Sequence, residues 1–212
     1  MWPNLRQMRK GRRGLSSFEQ LRSEDDESLK TRLRKLILRD SILRGEFVLK
    51  SGIKSTWFID VKNTVCRPEG LAIVSLLILR HLPHEVTAIG GQTMGADPIA
   101  FGTAGVATSL GRSIRSFSIR KEPKDHGPGG MIAGVLEQSD NALLVEDAAS
   151  RGTSTLAAVQ AVRNTGASIA YAIAVVDRGG TAKKLLGQHG VEFRALLTAS
   201  DLDLPFEGGM TS

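Results

Sequence analysis

Apolar and polar positions change rhythm along this chain. Between residues 23 and 40, Leu29, Leu33, Leu36 and Ile37 recur at helical spacing behind an acidic cluster, Ser23 to Asp26. That pattern predicts a helix from Ser23 to about Asp40, its acids at the positive end of the helix dipole. Two short extended stretches follow, "EFVL" and "STWFIDV", joined by "KSGIK", where Gly52 suits a hairpin turn. Pro68 opens a second predicted helix, rich in Leu and Ile, ending near His81. From residue 85 the apolar runs become nearly continuous: "VTAIG", "IRSFSI", "ALLVED" and "IAYAIAVVD", with a weaker "FRALL" at the end. Helical segments at roughly 95–110, 153–165 and 180–189 separate them. Strand and helix in alternation predict an α/β fold, a mostly parallel central sheet with helices on both faces.

Composition narrows the picture. The 212 residues suffice for one domain with a sizeable core, and 41% hydrophobic with 24% charged residues is ordinary for a soluble globular chain. No apolar stretch reaches the ~18 residues of a membrane span, and no apolar segment follows the basic N-terminus as in a secretory signal. Cys66 is the single cysteine, so an internal disulfide and cysteine-rich zinc sites are excluded, and a reducing cytoplasm is expected. The net charge of +6 owes most to "MWPNLRQMRKGRRG", residues 1–14, with five basic residues and no acid. Residues 1–22 are therefore expected to be a disordered basic extension or a translation start placed too early, and 23–212 a single domain. Nonspecific contact of that tail with nucleic acid would weaken steeply with salt; a specific nucleic-acid site or a membrane partner is not expected.

Ligands of open parallel sheets bind beyond the carboxyl ends of the strands. Four features fall there: "GGQTMG", "RKEPKDHGPGG", Glu146 with Asp147, and Asp177 with Arg178. In "LLVEDAASRGTST", residues 143–155, a buried run stops at two adjacent acids and enters a loop of small and hydroxyl residues before a helix. Acids suit ring hydroxyls or a metal ion, and a helix N-terminus suits a phosphate. Local physics equally allows a plainer arrangement, in which the acids solvate the strand end and Thr153 caps the helix. There is no GxxxxGK[ST] pattern for an ATPase, and "GGQTMG" lacks the dinucleotide spacing.

The string 143–155 resembles the phosphoribosyl-pyrophosphate motif of type I phosphoribosyltransferases. "IRKEPKDHGPGG", residues 119–130, is similar to the mobile catalytic loop of the orotate phosphoribosyltransferases, "LKSGIKSTWFID" to their hood strand, "VVDRGG" to their orotate-reading strand end, and "GGQTMGADPIA" to their pyrophosphate turn. The similarity spans about residues 45–200. It implies that fold, with a hood at roughly 23–66 and a core at roughly 67–200. It also implies transfer of ribose 5-phosphate from phosphoribosyl pyrophosphate to orotate, giving orotidine 5′-monophosphate in pyrimidine biosynthesis.

By the same resemblance, Lys121, Lys124 and His126 are the catalytic residues. They would bind phosphoribosyl pyrophosphate together with Lys50, Arg120, and the run Glu146, Asp147, Ala148, Ala149, Ser150, Arg151, Gly152, Thr153 and Ser154. Phe58, Ser150 and Arg178 would bind orotate. Mg²⁺ is implied, held mainly by substrate and water with no direct protein ligand. A homodimer is implied too, the 120–130 loop reaching the neighbouring subunit. The pattern departs from the family at Arg151, where a small residue is usual, and at Met94 and Gly95, where some members place Tyr and Lys. The rival readings are a phosphoribosyltransferase for another base and a non-catalytic ligand sensor on the same fold.

Overall fold

The computed structural model describes residues 17–48, 54–123 and 130–205. Helix α1 (Phe18–Ser23) is capped by Ser17, whose hydroxyl accepts the Gln20 N–H, and buries Leu21. The boundary expected after residue 22 therefore falls inside a helix and moves toward the N-terminus. Ser23 ends α1 rather than opening the next helix. Helix α2 (Asp26–Asp40) starts later than expected, behind Asp25, which accepts the Ser28 N–H at 2.7 Å. The acidic cluster marked a helix start, but its capping oxygen belongs to Asp25, because the chain must first leave α1 through Glu24 in an extended conformation.

Strands β1 (Ile42–Val48) and β2 (Lys54–Ile59) form an antiparallel pair, with a register shift between Arg44 and Phe47. Residues 49–53, with the expected turn at Gly52, lie outside the described residues. A four-residue helix α3 (Lys62–Val65), which no pattern announced, leads to α4 (Pro68–Arg80), with Pro68 at its start as expected. Then follow β3 (Ala88–Gln92), α5 (Asp97–Ser109), β4 (Arg115–Ile119), a short β5 (Ile132–Gly134), β6 (Asn141–Ala149), α6 (Thr153–Arg163), β7 (Ser168–Asp177), α7 (Ala182–Gln188) and β8 (Phe193–Thr198). The expected strands and helices are present, with shifted ends; β5, only three residues long, went unforeseen.

The central sheet has the order β5-β4-β3-β6-β7-β8. Only β5 runs antiparallel to its neighbour. The two faces carry separate cores. Ile89, Leu143, Val145, Tyr171 and Ile173 pack with residues of α2, α4 and α5. The alternate positions Ala88, Ala142, Leu144 and Ala172 pack with α6 and α7. This two-residue alternation is why the strands read as unbroken apolar runs: both faces are covered. The chain leaves β3 toward β4 on one side and returns to β6 on the other, so the order reverses between β3 and β6. A crevice at the carboxyl ends of those two strands is the expected ligand position.

Candidate active site

The β6–α6 turn is built mainly from backbone. Gly152 takes a left-handed φ of 79° at the N-cap of α6, and a Cβ there would lie 2.8 Å from Ala182 Cα. Only glycine combines that dihedral with that approach at no steric cost. The turn is tied to the segment after β7: Arg178 N–H donates to Ala149 O at 2.8 Å, Ala182 N–H to Ser150 O at 3.1 Å, and Thr181 Oγ1 to Arg151 O at 3.3 Å. Thr153 and Ser154 are exposed, and Gly152, not Thr153, is the cap residue, without a side-chain cap bond. The first-turn N–H groups of α6 have no intrahelical acceptor and face an anion-favouring end of the helix. Arg151 is exposed beside them.

The two acids at the end of β6 turn to opposite sides of the sheet. Glu146 faces α6 and accepts the Thr155 hydroxyl. Burial pushes its carboxyl from 4.5 up to about 7; the Thr155 hydrogen bond opposes this and the Asp147 charge adds to it. Asp147 faces the hood, where Lys62 Nζ lies 3.4 Å from its Oδ2. A Cβ on Gly95 would stand 2.3 Å from Asp147 Oδ1, so the β3–α5 turn closes on this carboxylate only because residue 95 has no side chain. Lys62 also lies 2.6 Å from Asp60 Oδ1. Burial acts to lower its ammonium, but the Asp60 hydrogen bond and the Asp147 charge outweigh it and hold it above its ordinary value.

The β3–α5 turn carries an exposed Met94. Thr93 Oγ1 donates to Asp97 Oδ2 at 2.7 Å, while Asp97 Oδ1 is buried with no hydrogen-bond partner among the described residues. At the end of β4, Arg120 N–H donates to Met131 O at 2.8 Å, and its buried Nε likewise finds no partner among the described residues. Buried polar atoms are normally hydrogen-bonded, so these two stand out, one at the start of α5 and one just after β4. Lys121 is exposed; Lys124 and His126 lie outside the described residues, as does Lys50.

Arg178 is only 9% exposed, and its guanidinium sits 4.6 Å from the centre of the Trp57 ring. It is thus a buried, stacked cation rather than a surface group. Burial raises the neighbouring Asp177 carboxyl, while the Gly179 N–H bonds it at 3.0 Å and opposes the shift. Phe58 is 38% exposed and approaches Phe47 with ring centroids 5.8 Å apart, so the core aromatic of this strand is Trp57 and not Phe58. The structure brings Asp147, Gly95, the 150–154 turn and the β7 segment bearing Arg178 to one rim, with Trp57 and Lys62 arriving from the hood. Sequence reasoning passed over Trp57, Asp60 and Lys62. Nothing in a lone Asp-x-Lys distinguishes it from a solvated turn, and Trp57 reads as an ordinary strand aromatic.

A parallel sheet reversing at β3/β6, with an acid pair and a glycine-turned helix N-terminus at the reversal, defines a type I phosphoribosyltransferase. No family model matches the chain. Among solved structures, a phosphoribosyltransferase from Corynebacterium diphtheriae superposes with a TM-score of 0.73 at 30% identity, over 84% of this chain and 99% of that one. The orotate phosphoribosyltransferase of Mycobacterium tuberculosis H37Rv in complex with 5-phospho-alpha-D-ribosyl 1-diphosphate gives 0.69 at 29% identity, over 83% and 99%. In sequence, the orotate phosphoribosyltransferase of Bradyrhizobium diazoefficiens is 36% identical over 177 residues, 81% of this chain and 95% of the relative. The chain belongs to the orotate phosphoribosyltransferase family.

Proposed function

We propose that this chain transfers the ribose 5-phosphate group from phosphoribosyl pyrophosphate to orotate, giving orotidine 5′-monophosphate and pyrophosphate in pyrimidine biosynthesis. The observation that carries the reading is one hydrogen bond: Arg178 N–H to Ala149 O, 2.8 Å. That backbone bond sets the end of β7 beside the β6–α6 turn, where the buried Arg178 guanidinium lies 4.6 Å from the Trp57 ring centre, so a carboxylate-bearing ring and a sugar phosphate find their partners side by side. Guanidinium offers a rigid fork of donors to a planar carboxylate. Arg178, Ser150 and Phe58 take orotate in this reading. Glu146 and Asp147 take the ribose hydroxyls, and residues 148–154 take the 5′-phosphate.

In the reaction the orotate ring nitrogen attacks C1 of the ribose as the C1–oxygen bond breaks, and pyrophosphate leaves with the bonding pair. No protein nucleophile is required. The barrier falls because both reactants are held in attacking geometry and because cationic groups meet the charge developing on the leaving group. Arg120, Lys121, Lys124, His126 and Lys50 have that task, and a closing loop keeps out water, the competing nucleophile.

Enzymes that use this donor generally use Mg²⁺. The residues fit such an ion only as neighbours of it: Asp147 and Glu146 place carboxylate oxygens at the rim, and the ion would be held mainly by substrate and water. Bound with the donor, Mg²⁺ would supply positive charge to the departing pyrophosphate. Loop 120–130 serves the site of a neighbouring subunit in a homodimer; the resemblance of residues 119–130 supports this. Among the described residues no helix is long and apolar enough to cross a membrane. The single, exposed Cys66 is in keeping with a cytoplasmic setting.

The test is a spectroscopic assay of orotate consumption with phosphoribosyl pyrophosphate and Mg²⁺, with uracil, hypoxanthine and xanthine in parallel. Turnover of orotate alone is expected. Turnover of another base instead, or donor binding with no turnover of any base, would overturn the proposal.

A further inference from the structure

Lys62 has no role in the reaction as described, yet it is the cation seated on Asp147. Its base is firmly built. Asp60 Oδ1 accepts both the Lys62 backbone N–H, at 3.2 Å, and the ammonium, at 2.6 Å. Asp60 N–H donates to Ser41 O at 2.9 Å, and the buried Ser41 hydroxyl pairs with Thr64 Oγ1 at 2.7 Å. Lys62 therefore projects from a backbone anchored in the core of the hood.

At the other end, the Asp147 carboxylate is held between Lys62 and the Gly95 turn. Lys62 Nζ lies 3.4 Å from Oδ2, and a Cβ on Gly95 would come within 2.3 Å of Oδ1 and 2.9 Å of Oδ2, so the turn packs against the whole carboxylate. The turn from Thr93 to Asp97 contains no basic residue, so it offers Asp147 no cation of its own. An ion pair this open to solvent adds little to stability, since desolvation is incomplete and water competes. Fixing the rotamer of a carboxylate that must meet a ligand is a different matter, because small misplacements in a site carry large kinetic and binding consequences.

We propose that Lys62 is a positioning residue: by holding Oδ2 of Asp147 against the Gly95 turn, it fixes the carboxylate in place for the ribose hydroxyls of the donor. This rests on the reading of Asp147 as a ribose-gripping acid. Asp60 and Lys62 form a relay from the hood to the sugar, and the hood then acts on the donor as well as on the base.

The test is calorimetric titration of the full chain with three probes: phosphoribosyl pyrophosphate, ribose 5-phosphate and inorganic pyrophosphate. Lys62→Met, Lys62→Arg, Asp147→Asn and the double variant Lys62→Met/Asp147→Asn are compared. Lys62→Met is expected to weaken both sugar phosphates about tenfold and to leave pyrophosphate within about twofold. Lys62→Arg, which keeps the charge, returns affinity to within about threefold of the unmodified protein. The double variant binds no more weakly than Asp147→Asn alone, because the two residues act as one unit. If Asp147→Asn weakens the sugar phosphates and Lys62→Met does not, Lys62 is only an ion pair and the proposal fails. If pyrophosphate weakens as much as ribose 5-phosphate, Lys62 acts directly on the diphosphate and the proposal also fails. If Asp147→Asn leaves ribose 5-phosphate unchanged, the ribose reading of Asp147 itself has failed. Should Lys62→Met not fold, the arginine variant and the Asp147→Asn background still decide: additive losses in the two would overturn the relay.

Discussion

In the β6–α6 turn, the carbonyls of Ala149, Ser150 and Arg151 accept bonds from Arg178, Ala182 and Thr181, and Gly152 supplies the left-handed step. In the hood segment from Trp57 to Lys62, side chains reach the rim instead: the Trp57 ring toward Arg178 and the Lys62 ammonium toward Asp147. The first region takes its shape from these backbone bonds and from the left-handed glycine. In the second, single side chains contact groups already placed by the sheet. Substitutions should therefore act differently in the two regions, through chain geometry in one and through ligand affinity in the other.

The largest effect is expected at the β3–α5 turn, which packs on Asp147 beside the Lys62 contact. Gly95→Ala puts a Cβ 2.3 Å from Asp147 Oδ1, displacing the carboxylate from the turn. Turnover should fall by roughly 10²-fold, measured by steady-state assay, with melting temperature little changed. Unaltered kinetics would detach Asp147 from the chemistry. Next is Arg178→Ala, which should weaken orotate about 10- to 100-fold, the scale of a lost hydrogen bond to a charged group. The phosphoribosyl donor should be far less affected. Separate titrations of the two ligands decide, and equal losses would contradict the division of labour.

Gly152→Ala tests the backbone clamp alone. With φ at 79° and Ala182 Cα 2.8 Å from the new Cβ, unfolding free energy should drop by about 1–3 kcal/mol in denaturant titration. A stable variant with normal donor affinity would mean that the turn is looser than its hydrogen bonds suggest. The smallest effect is a slope in pH. Because burial raises Glu146 from 4.5 to about 7, its contribution to stability is complete below pH 4.5 and is lost as pH rises through 7. Glu146→Gln should flatten that part of the ligand-free stability curve. An unchanged curve would show that water or relaxation reaches the carboxyl.

Much of the layered core was legible from residues alone. The runs at 142–147 and 169–177 read as doubly buried strands because neighbouring side chains go to opposite cores, and both must be apolar. The turn after β6 was legible as a turn, because small residues and a glycine follow the apolar run, but local physics left its use open. Less legible was the direction of each acid. Adjacent in sequence, Glu146 and Asp147 gave no sign of which partners they meet, and strand geometry sends one to Thr155 and the other to Lys62. The helix boundary at Ser23 was misplaced because three acids and a serine offer several possible caps, and the preceding α1 decides among them.

By itself the sequence determined which segments become strands and helices, where the chain turns with glycine, and which strand ends carry charge. These follow from periodicity and local sterics, which act over a few residues. Only the tertiary structure decided which charges meet. Lys62 lies 85 positions from Asp147, and Trp57 lies far along the chain from Arg178. Partners so distant are chosen by how the hood packs against the sheet, a matter of the whole core's volume and shape that no local pattern encodes.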